Sequence, residues 1–531
     1  MWKQTDRLLG VIFRQERFRM LLWLIGLVGI TIMTLVSYQD LYSKQTERDM
    51  VAETMDNPAL IAIMGKSEGL TDYTIGAMFS QQMLLFTALA IGVMANLFVA
   101  KHARGDEESG ILELVRSLPV GRLSHLTATL IAEGMMLLIL VLAFGFGIGF
   151  FQASGIDWQG AFLFAVSLGG IGLFFVGVAS CCAQLSSSKR GATGLAFAVL
   201  LSFYILRALA VVTEEKWTWV SPFGWIENSQ PFVHNDWWPI ILLIVTGLLL
   251  IGLSFYLHVR RDYGAGLLKE RSGKREASPL FGSIFALFVK TQRTSLIAWT
   301  IGLFLFGAMY GAVLDDLDTY VKDNEMLEQM IMAHSDYTLV EQFIGMLILI
   351  LAIVAIIPAI LALLRVKNEE TKGRLELLYS LPISRLRFMS NGLGFGMLVG
   401  VWMLAVSVAG LLLSGNIMLD ETLSIKVYAG AAAVYIPALI LFLGLVSACM
   451  GLVPRLTGIS WVYLAFSYLV TYMGELLQLP KALQKLSIFE YIPELPVEDV
   501  KMLTLLVVTI IAVVLLIIGF VTYRRRDIQS H

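Results

Sequence analysis

Twelve apolar runs, each long enough to cross a lipid bilayer, are the feature that most limits what this chain can form. A transmembrane helix needs about 20 predominantly apolar residues. Of the 531 residues, 57% are hydrophobic and 15% are charged, and the mean hydropathy is +0.75. These values predict an all-α polytopic membrane protein with twelve transmembrane helices. The runs lie near residues 20–38, 80–100, 126–150, 161–183, 192–212, 238–257, 296–313, 343–364, 391–414, 428–452, 459–477 and 502–522.

A stretch of seventeen residues between the second and third runs recurs in the second half of the chain. Residues 106–122, DEESGILELVRSLPVGR, match residues 369–385, EETKGRLELLYSLPISR, without a gap and are identical at nine positions. We call these stretches the first motif and the second motif. Each has an acidic start, the apolar spacing of a short amphipathic helix and a proline expected to end that helix. The repeat indicates an internal duplication.

Shorter matches extend this duplication over the whole chain. They are Trp23-Leu-Ile-Gly-Leu27 with Trp299-Thr-Ile-Gly-Leu303, and Arg260-Arg-Asp262 with Arg525-Arg-Asp527. Because six runs return each half to the side on which it began, we predict two parallel six-helix repeats. The expected domains are a first transmembrane half at residues 1–262, a cytoplasmic linker at 263–279 and a second transmembrane half at 280–531.

The basic residues are concentrated in alternate segments between the runs. With the N-terminus inside, the inner segments hold 29 of the 39 Lys and Arg residues. The positive-inside rule then places both termini and both motifs in the cytoplasm. Residues 2–19 mix apolar and basic side chains, which favours a separate helix lying along the inner membrane surface. The net charge of −2 offers no basic face for nucleic acid.

No motif for catalysis or nucleotide binding occurs in the sequence. Gly65-Lys66-Ser67 lacks the glycine that a phosphate-binding loop carries five residues earlier, where Leu60 stands. Metalloprotease and serine-hydrolase motifs are missing, and the six histidines and three cysteines do not have metal-ligand spacing. We therefore expect a transport subunit rather than an enzyme, with no cofactor or metal bound by this chain.

Three charged residues fall inside the predicted spans, and one of them, Glu475 at the outer end of the eleventh, is expected to lie at the membrane interface. A charged side chain at the centre of a membrane helix costs roughly 2.5–3.5 kcal/mol on insertion scales. Glu133 lies well inside the third span, where it lines a substrate path, forms a buried structural hydrogen bond or is a protonated acid. Arg207 lies near the outer end of the fifth span, where it either extends towards the membrane surface or lines the same path.

The order of these parts resembles the membrane subunits of ABC-2 type exporters, in which an inner helix precedes six spans and the second loop carries an acidic helix. The resemblance is carried by Glu108-Ser-Gly-Ile-Leu-Glu-Leu-Val-Arg-Ser-Leu-Pro-Val-Gly-Arg122 and by its copy in the second half. One departure is Thr371, which stands where the family has an acid, although Glu370 is beside it. The fused twelve-span chain, with Arg-Arg-Asp-Tyr-Gly-Ala-Gly after the sixth span, is most similar to a subfamily of polyketide and polyether antibiotic exporters.

The resemblance implies that both motifs are coupling helices, which dock on two copies of an ABC ATPase subunit that binds ATP and Mg²⁺. It also implies a permease in the bacterial plasma membrane, surrounded by lipid, that exports hydrophobic or amphiphilic small molecules. An alternative is a secondary transporter that is driven by an ion gradient and uses Glu133. The implied contact residues are Glu107, Glu108, Gly110, Glu113 and Arg116 in the first motif, and Glu370, Gly373, Glu376 and Tyr379 in the second.

Overall fold

All regular elements in the described part of the chain are helical. Eleven of the described helices are long and apolar enough to cross a membrane, which confirms the prediction of an all-α polytopic membrane protein. The computed structural model describes all residues except 1, 56–60, 62, 63, 66, 67, 152, 214, 269–281, 313, 315–338, 372, 374, 376–379, 381, 420–423, 474–479, 499 and 527–531.

The chain divides into two compact units, of which the first covers Met1–Gly273. Six of its helices are spans, and they pack around an apolar core drawn from the first unit itself. The helices are α1 (Thr5–Leu41), α2 (Gln45–Met55), α3 (Ile75–Ala100), α4 (Ile111–Arg116), α5 (Ser124–Gly149), α6 (Trp158–Leu185), α7 (Lys189–Thr213), α8 (Pro222–Glu227) and α9 (Trp238–Arg260).

Helix α1 differs from its prediction because it is one continuous helix of 37 residues. The amphipathic segment at residues 2–19 and the first apolar run were expected to form two elements. No proline interrupts the sequence between Thr5 and Leu41, so nothing prevents the hydrogen-bonded ladder from continuing. At 1.5 Å per residue the helix is about 55 Å long, which exceeds the roughly 30 Å of a bilayer core.

The second unit covers Lys274–His531 and has an apolar core of its own. The tenth predicted span is divided into two helices before Pro437, since proline cannot continue a helical hydrogen-bond ladder. The eleventh begins as a 15-residue helix, and residues 474–477 of the prediction lie outside the described residues. The helices are α10 (Ile284–Ala312), α11 (Leu339–Thr371), α12 (Arg385–Met418), α13 (Ile425–Ala433), α14 (Ile436–Leu452), α15 (Ile459–Met473), α16 (Lys481–Gln484) and α17 (Met502–Arg525).

In both units the fourth and sixth spans approach each other through glycine. A Cβ atom added to Gly177 on α6 would lie 3.0 Å from the carbonyl oxygen of Gly247 on α9. A Cβ atom added to Gly451 on α14 would lie 2.7 Å from the carbonyl oxygen of Gly519 on α17. Small residues allow this backbone approach in membranes, where van der Waals packing between helices replaces the hydrophobic effect. The repeated helix order and these matching contacts fit a duplicated six-span unit.

Candidate functional site

The first motif lies directly after α3. The helix continues from Ala100 through a π-helical segment, Lys101–Gly105, and one further turn, Asp106–Glu108. The chain then turns at Gly110, whose φ of 78° is in the left-handed region that favours glycine. Helix α4 follows and ends at Arg116, before Pro119. The motif is therefore a bent extension of the second span that returns to the third.

Glu107 points into the first unit and contacts the chain that follows the last span. Its carboxylate accepts hydrogen bonds from the Arg261 guanidinium at 3.0 and 2.7 Å and from the Gly264 backbone N–H at 2.8 Å. The Arg104 guanidinium donates another at 3.0 Å, and all three charged side chains are buried. A buried carboxylate with several charge-assisted hydrogen bonds is a strong structural contact. Glu107 thus fixes the motif to the residues after α9.

The second unit contains the same arrangement. We call it the clamp: the acid at the start of the motif, Glu107 or Glu370, bound by an arginine that follows the last span, Arg261 or Arg526. Arg526 donates a hydrogen bond to the Glu370 carboxylate, as Arg261 does to Glu107. The last residue of each motif also takes part: Arg122 donates to the Arg261 carbonyl oxygen at 2.9 Å and Arg385 donates to the Arg526 carbonyl oxygen at 2.8 Å. The matching Arg-Arg-Asp sequences after the sixth and twelfth spans supply these arginines. The sequence analysis did not predict this contact. The repetition of Arg-Arg-Asp together with the motif in both halves is the signal that could have indicated it.

Two other polar residues predicted for the first motif, Glu108 and Arg116, have contacts within the unit as well. Glu108 is exposed, and its carboxylate accepts a hydrogen bond from the Lys189 backbone N–H at 2.7 Å, at the start of α7. The Arg116 guanidinium lies 4.3 Å from the centre of the Tyr263 ring, a cation–π distance. Partial burial raises the pKa of the Tyr263 hydroxyl, and the nearby Glu107 carboxylate raises it further.

Helix α4 and the residues just after it expose several apolar side chains. Leu114 is 74% exposed, Leu118 58% and Ile111 44%, and the exposed carboxylate of Glu113 lies among them. Leu112 is instead the buried residue of α4, at 4% exposure. The apolar spacing of the sequence predicted an amphipathic helix without showing which side of it points outward. Exposed apolar residues beside a charge are typical of an interaction surface.

The second motif is described in part. Gly373 has a φ of 68°, as Gly110 does at the equivalent turn, and Leu375 is buried like its counterpart Leu112. Glu370 is buried in the clamp. The predicted contact residues Glu376 and Tyr379 lie outside the described residues.

The two candidates for a substrate path are both buried in the first unit. Arg207 is paired with Glu227, whose carboxylate oxygens lie 2.7 and 2.9 Å from its guanidinium nitrogens. This pairing, and not an extension towards the membrane surface, satisfies its charge. Glu133 lies on α5 at 1% exposure, and its Oε1 has no hydrogen-bond partner in the described part of the chain. The two residues are not brought together.

The helical spans and the duplicated motif define a polytopic membrane permease of an exporter. The chain belongs to the multidrug efflux permease family: the family described as "Multidrug efflux system permease Rv1217c, C-terminal domain" matches residues 6–258 and 281–524. It is 31% identical to the multidrug efflux system permease protein Rv1217c of Mycobacterium tuberculosis (strain ATCC 25618 / H37Rv). That match spans 529 residues, which are 99% of this chain and 95% of the relative. The predicted resemblance to exporter permeases is confirmed.

Proposed function

We propose that this chain is the permease subunit of an ATP-driven exporter and that its two motifs dock on two ABC ATPase subunits, which bind ATP and Mg²⁺. The observation that carries the proposal is the group of exposed apolar side chains formed by Ile111 and Leu114 on α4 and Leu118 just after it. Its charged neighbours Glu107, Glu108 and Arg116 already have contacts inside the unit, so Ile111, Leu114, Leu118 and Glu113 remain for a partner. Interfaces bury apolar side chains of this kind at their centre.

The substrate class follows from the relative and from the resemblance. The relative is named as a multidrug efflux permease, which supports hydrophobic or amphiphilic compounds such as polyketide and polyether antibiotics. In this proposal both termini and both motifs face the bacterial cytoplasm, where ATP is available. The spans are surrounded by the lipid of the plasma membrane.

A matched pair of exposed leucines tests the docking surface. Leu118 in the first motif and Leu41 at the end of α1 are each 58% exposed, so Leu118→Asp and Leu41→Asp introduce the same charge at equal exposure. The variants would be reconstituted in liposomes with an ABC ATPase subunit from the same cells. Leu118→Asp is expected to reduce export and transport-coupled ATP hydrolysis at least about tenfold, since central apolar contacts contribute about 2 kcal/mol or more. Equal activities in the two variants would contradict the proposal.

One observation favours a second candidate function, an ion-gradient-driven transporter. Glu133 is a buried acid inside a span with an unpartnered oxygen, and such acids carry protons in many transporters. Transport that persists without ATP and stops when the proton gradient is collapsed would support this candidate. Transport that requires ATP and survives loss of the gradient would support the ABC exporter.

A further inference from the structure

Acids and histidines from three segments of the first unit form a buried cluster beside the first motif. Glu16 on α1 accepts a hydrogen bond from Lys101 and has its Oε1 3.3 Å from His102 Nε2. The other ring nitrogen of His102, Nδ1, lies 2.9 Å from the Asp106 carboxylate. His125 on α5 lies 3.4 Å from the same carboxylate. Glu16 and His102 are almost fully buried.

Glu133 extends this cluster into the span. Helix α1, which carries Glu16, packs against α5, which carries Glu133. The two carboxylates interact electrostatically. Helix α6, which also packs against α5, has no Asp, Glu, Lys or Arg. Two nearby buried carboxylates cannot both be charged at low cost, and a charged carboxylate with an unpartnered oxygen, as at Glu133 Oε1, is expensive in an apolar environment. Uptake of one proton removes this cost.

The basic groups around the cluster do not remove the need for that proton. Lys101 and Arg19 contact Glu16 and not Glu133, and Arg19 is largely exposed, with a 3.4 Å separation from Glu16. The remaining groups that can carry positive charge near Glu16 are the imidazoles of His102 and His125. Each imidazole is charged only when it binds a proton, so the charge of the cluster depends on protons bound at its own members.

The cluster leads directly to the first motif. Asp106, which contacts both histidines, is the first residue of the motif, and Glu107 of the clamp is the next. The His125 ring also lies 2.9 Å from the His102 carbonyl oxygen. A change of charge at His102 or Asp106 therefore acts on the same turn that fixes α4 to the unit.

The second unit does not repeat the cluster. In the registers set by Trp23/Trp299 and by the two motifs, Gln292 replaces Glu16, Phe388 replaces His125 and Gly396 replaces Glu133. The His102–Asp106 pair corresponds to Arg365 and Glu369, which form an ion pair at 2.9 Å. Arginine keeps its charge at all relevant pH values. The second unit thus holds its motif without an acid at the positions of Glu16 and Glu133 and without a histidine at those of His102 and His125. The cluster is therefore not needed to build a six-span unit.

We propose that Glu133, Glu16 and His102 form a proton-binding site in the first unit, and that protons bound there change the exposure of the first motif through Asp106. The ligand is the proton itself. The site concerns this chain alone and does not depend on an ATPase partner, so it can stand if the docking proposal fails.

The first experiment detects the bound proton directly. Infrared spectra of the purified full chain in lipid nanodiscs would be recorded from about pH 5 to about pH 9, the range over which buried carboxyl and imidazole groups titrate. We expect a protonated carboxyl band at neutral pH that disappears on alkalinisation and is absent from Glu133→Gln. A wild-type spectrum without this band at neutral pH would overturn the proposal, as would a band that persists in Glu133→Gln.

The second experiment compares the two motifs, with the second motif as an internal control. Its variant, His102→Arg, copies the residue found at the equivalent position of the second unit, Arg365. Hydrogen–deuterium exchange of both motifs would be compared at about pH 5.5 and about pH 8.5 and corrected for the intrinsic pH dependence of exchange, over the range in which His titrates. We expect a change of at least about threefold in residues 101–122 but not in residues 364–385. His102→Arg, which copies Arg365, is expected to remove the change. An equal pH response in both motifs, or a response that survives His102→Arg, would overturn the proposal.

Discussion

The Glu107 carboxylate accepts hydrogen bonds from the Arg261 guanidinium across 154 positions of sequence, at 3.0 and 2.7 Å. Glu370 and Arg526 have the same relationship in the second unit. Glu107 and Arg122 therefore attach the first motif to the residues that follow α9. Both residues are repeated in the second motif, as Glu370 and Arg385. Repetition between the halves does not separate this attachment from exposure, since the exposed Leu114 and Leu118 are also repeated, as Leu377 and Leu381.

Loss of the Glu107 carboxylate is expected to destabilise the first unit strongly. Glu107→Ala would leave the buried guanidinium groups of Arg261 and Arg104 without their acid, and removing one partner of a buried ion pair costs about 3–5 kcal/mol. Glu113→Ala removes an exposed carboxylate from the same motif and is expected to change stability by less than about 0.5 kcal/mol. Thermal unfolding of the purified variants in detergent measures the difference. Equal unfolding temperatures would show that the clamp does not hold the unit together.

Substitution of Gly110 is expected to be unfavourable because of the backbone conformation at this residue, and not because an added side chain would clash with a neighbour. A Cβ atom added there would meet nothing within 4 Å, yet φ is 78°. Gly110→Ala should therefore cost about 1–2 kcal/mol, the penalty for an L-residue in the left-handed region, and Gly373→Ala should behave alike. Gly134 on α5 also has open space around it but is helical. Gly134→Ala is expected to stabilise by about 0.5–1 kcal/mol, and unfolding temperatures that fall equally in all three variants would contradict the argument.

Most of the fold could be predicted because membrane helices have a strong sequence signal. Apolar runs of sufficient length indicated the spans, and the backbone of a spanning segment must form a helix to satisfy its own hydrogen bonds. The continuous helix α1 was missed because its first turns are amphipathic, a pattern that suits a surface helix and the extension of a span equally well. The break before Pro437 was signalled by the proline, although hydropathy alone predicted one span.

The candidate site could be located from the sequence, but the direction of its side chains could not. An amphipathic pattern separates the apolar from the polar side of α4 without showing which side packs against the spans. That choice depends on Leu112, which fills a position beneath the motif, and on the clamp, which turns Glu107 inward. The clamp depends on residues that follow α9, far away in the sequence. The pairing of Arg207 with Glu227 is likewise a contact between separate helices.

Substitutions at Leu112 and Leu114 are expected to have different effects. The first should lower the stability of the protein, and the second should weaken its coupling to the proposed partner. Leu112 is 4% exposed, so Leu112→Ala should destabilise by about 2–5 kcal/mol, as for other buried leucines. Leu114 is 74% exposed, so Leu114→Ala should leave stability within about 0.5 kcal/mol while it weakens coupling to the proposed partner. Unfolding temperatures and ATP-dependent export would be measured on the same preparations. A stable Leu112→Ala variant together with a fully active Leu114→Ala variant would contradict the orientation of α4.

Arg207 is expected to be a structural residue of the first unit, since its guanidinium is buried and joined to Glu227 at 2.7 and 2.9 Å. Arg207→Met would remove the guanidinium that pairs with the Glu227 carboxylate and should cost about 3–5 kcal/mol. Arg207→Met combined with Glu227→Gln removes both charges, and this double variant should recover much of the loss because a neutral pair has no buried charge to compensate. Unfolding temperatures of the single and double variants test this coupling. If Arg207→Met is stable but does not transport, Arg207 contacts the substrate instead.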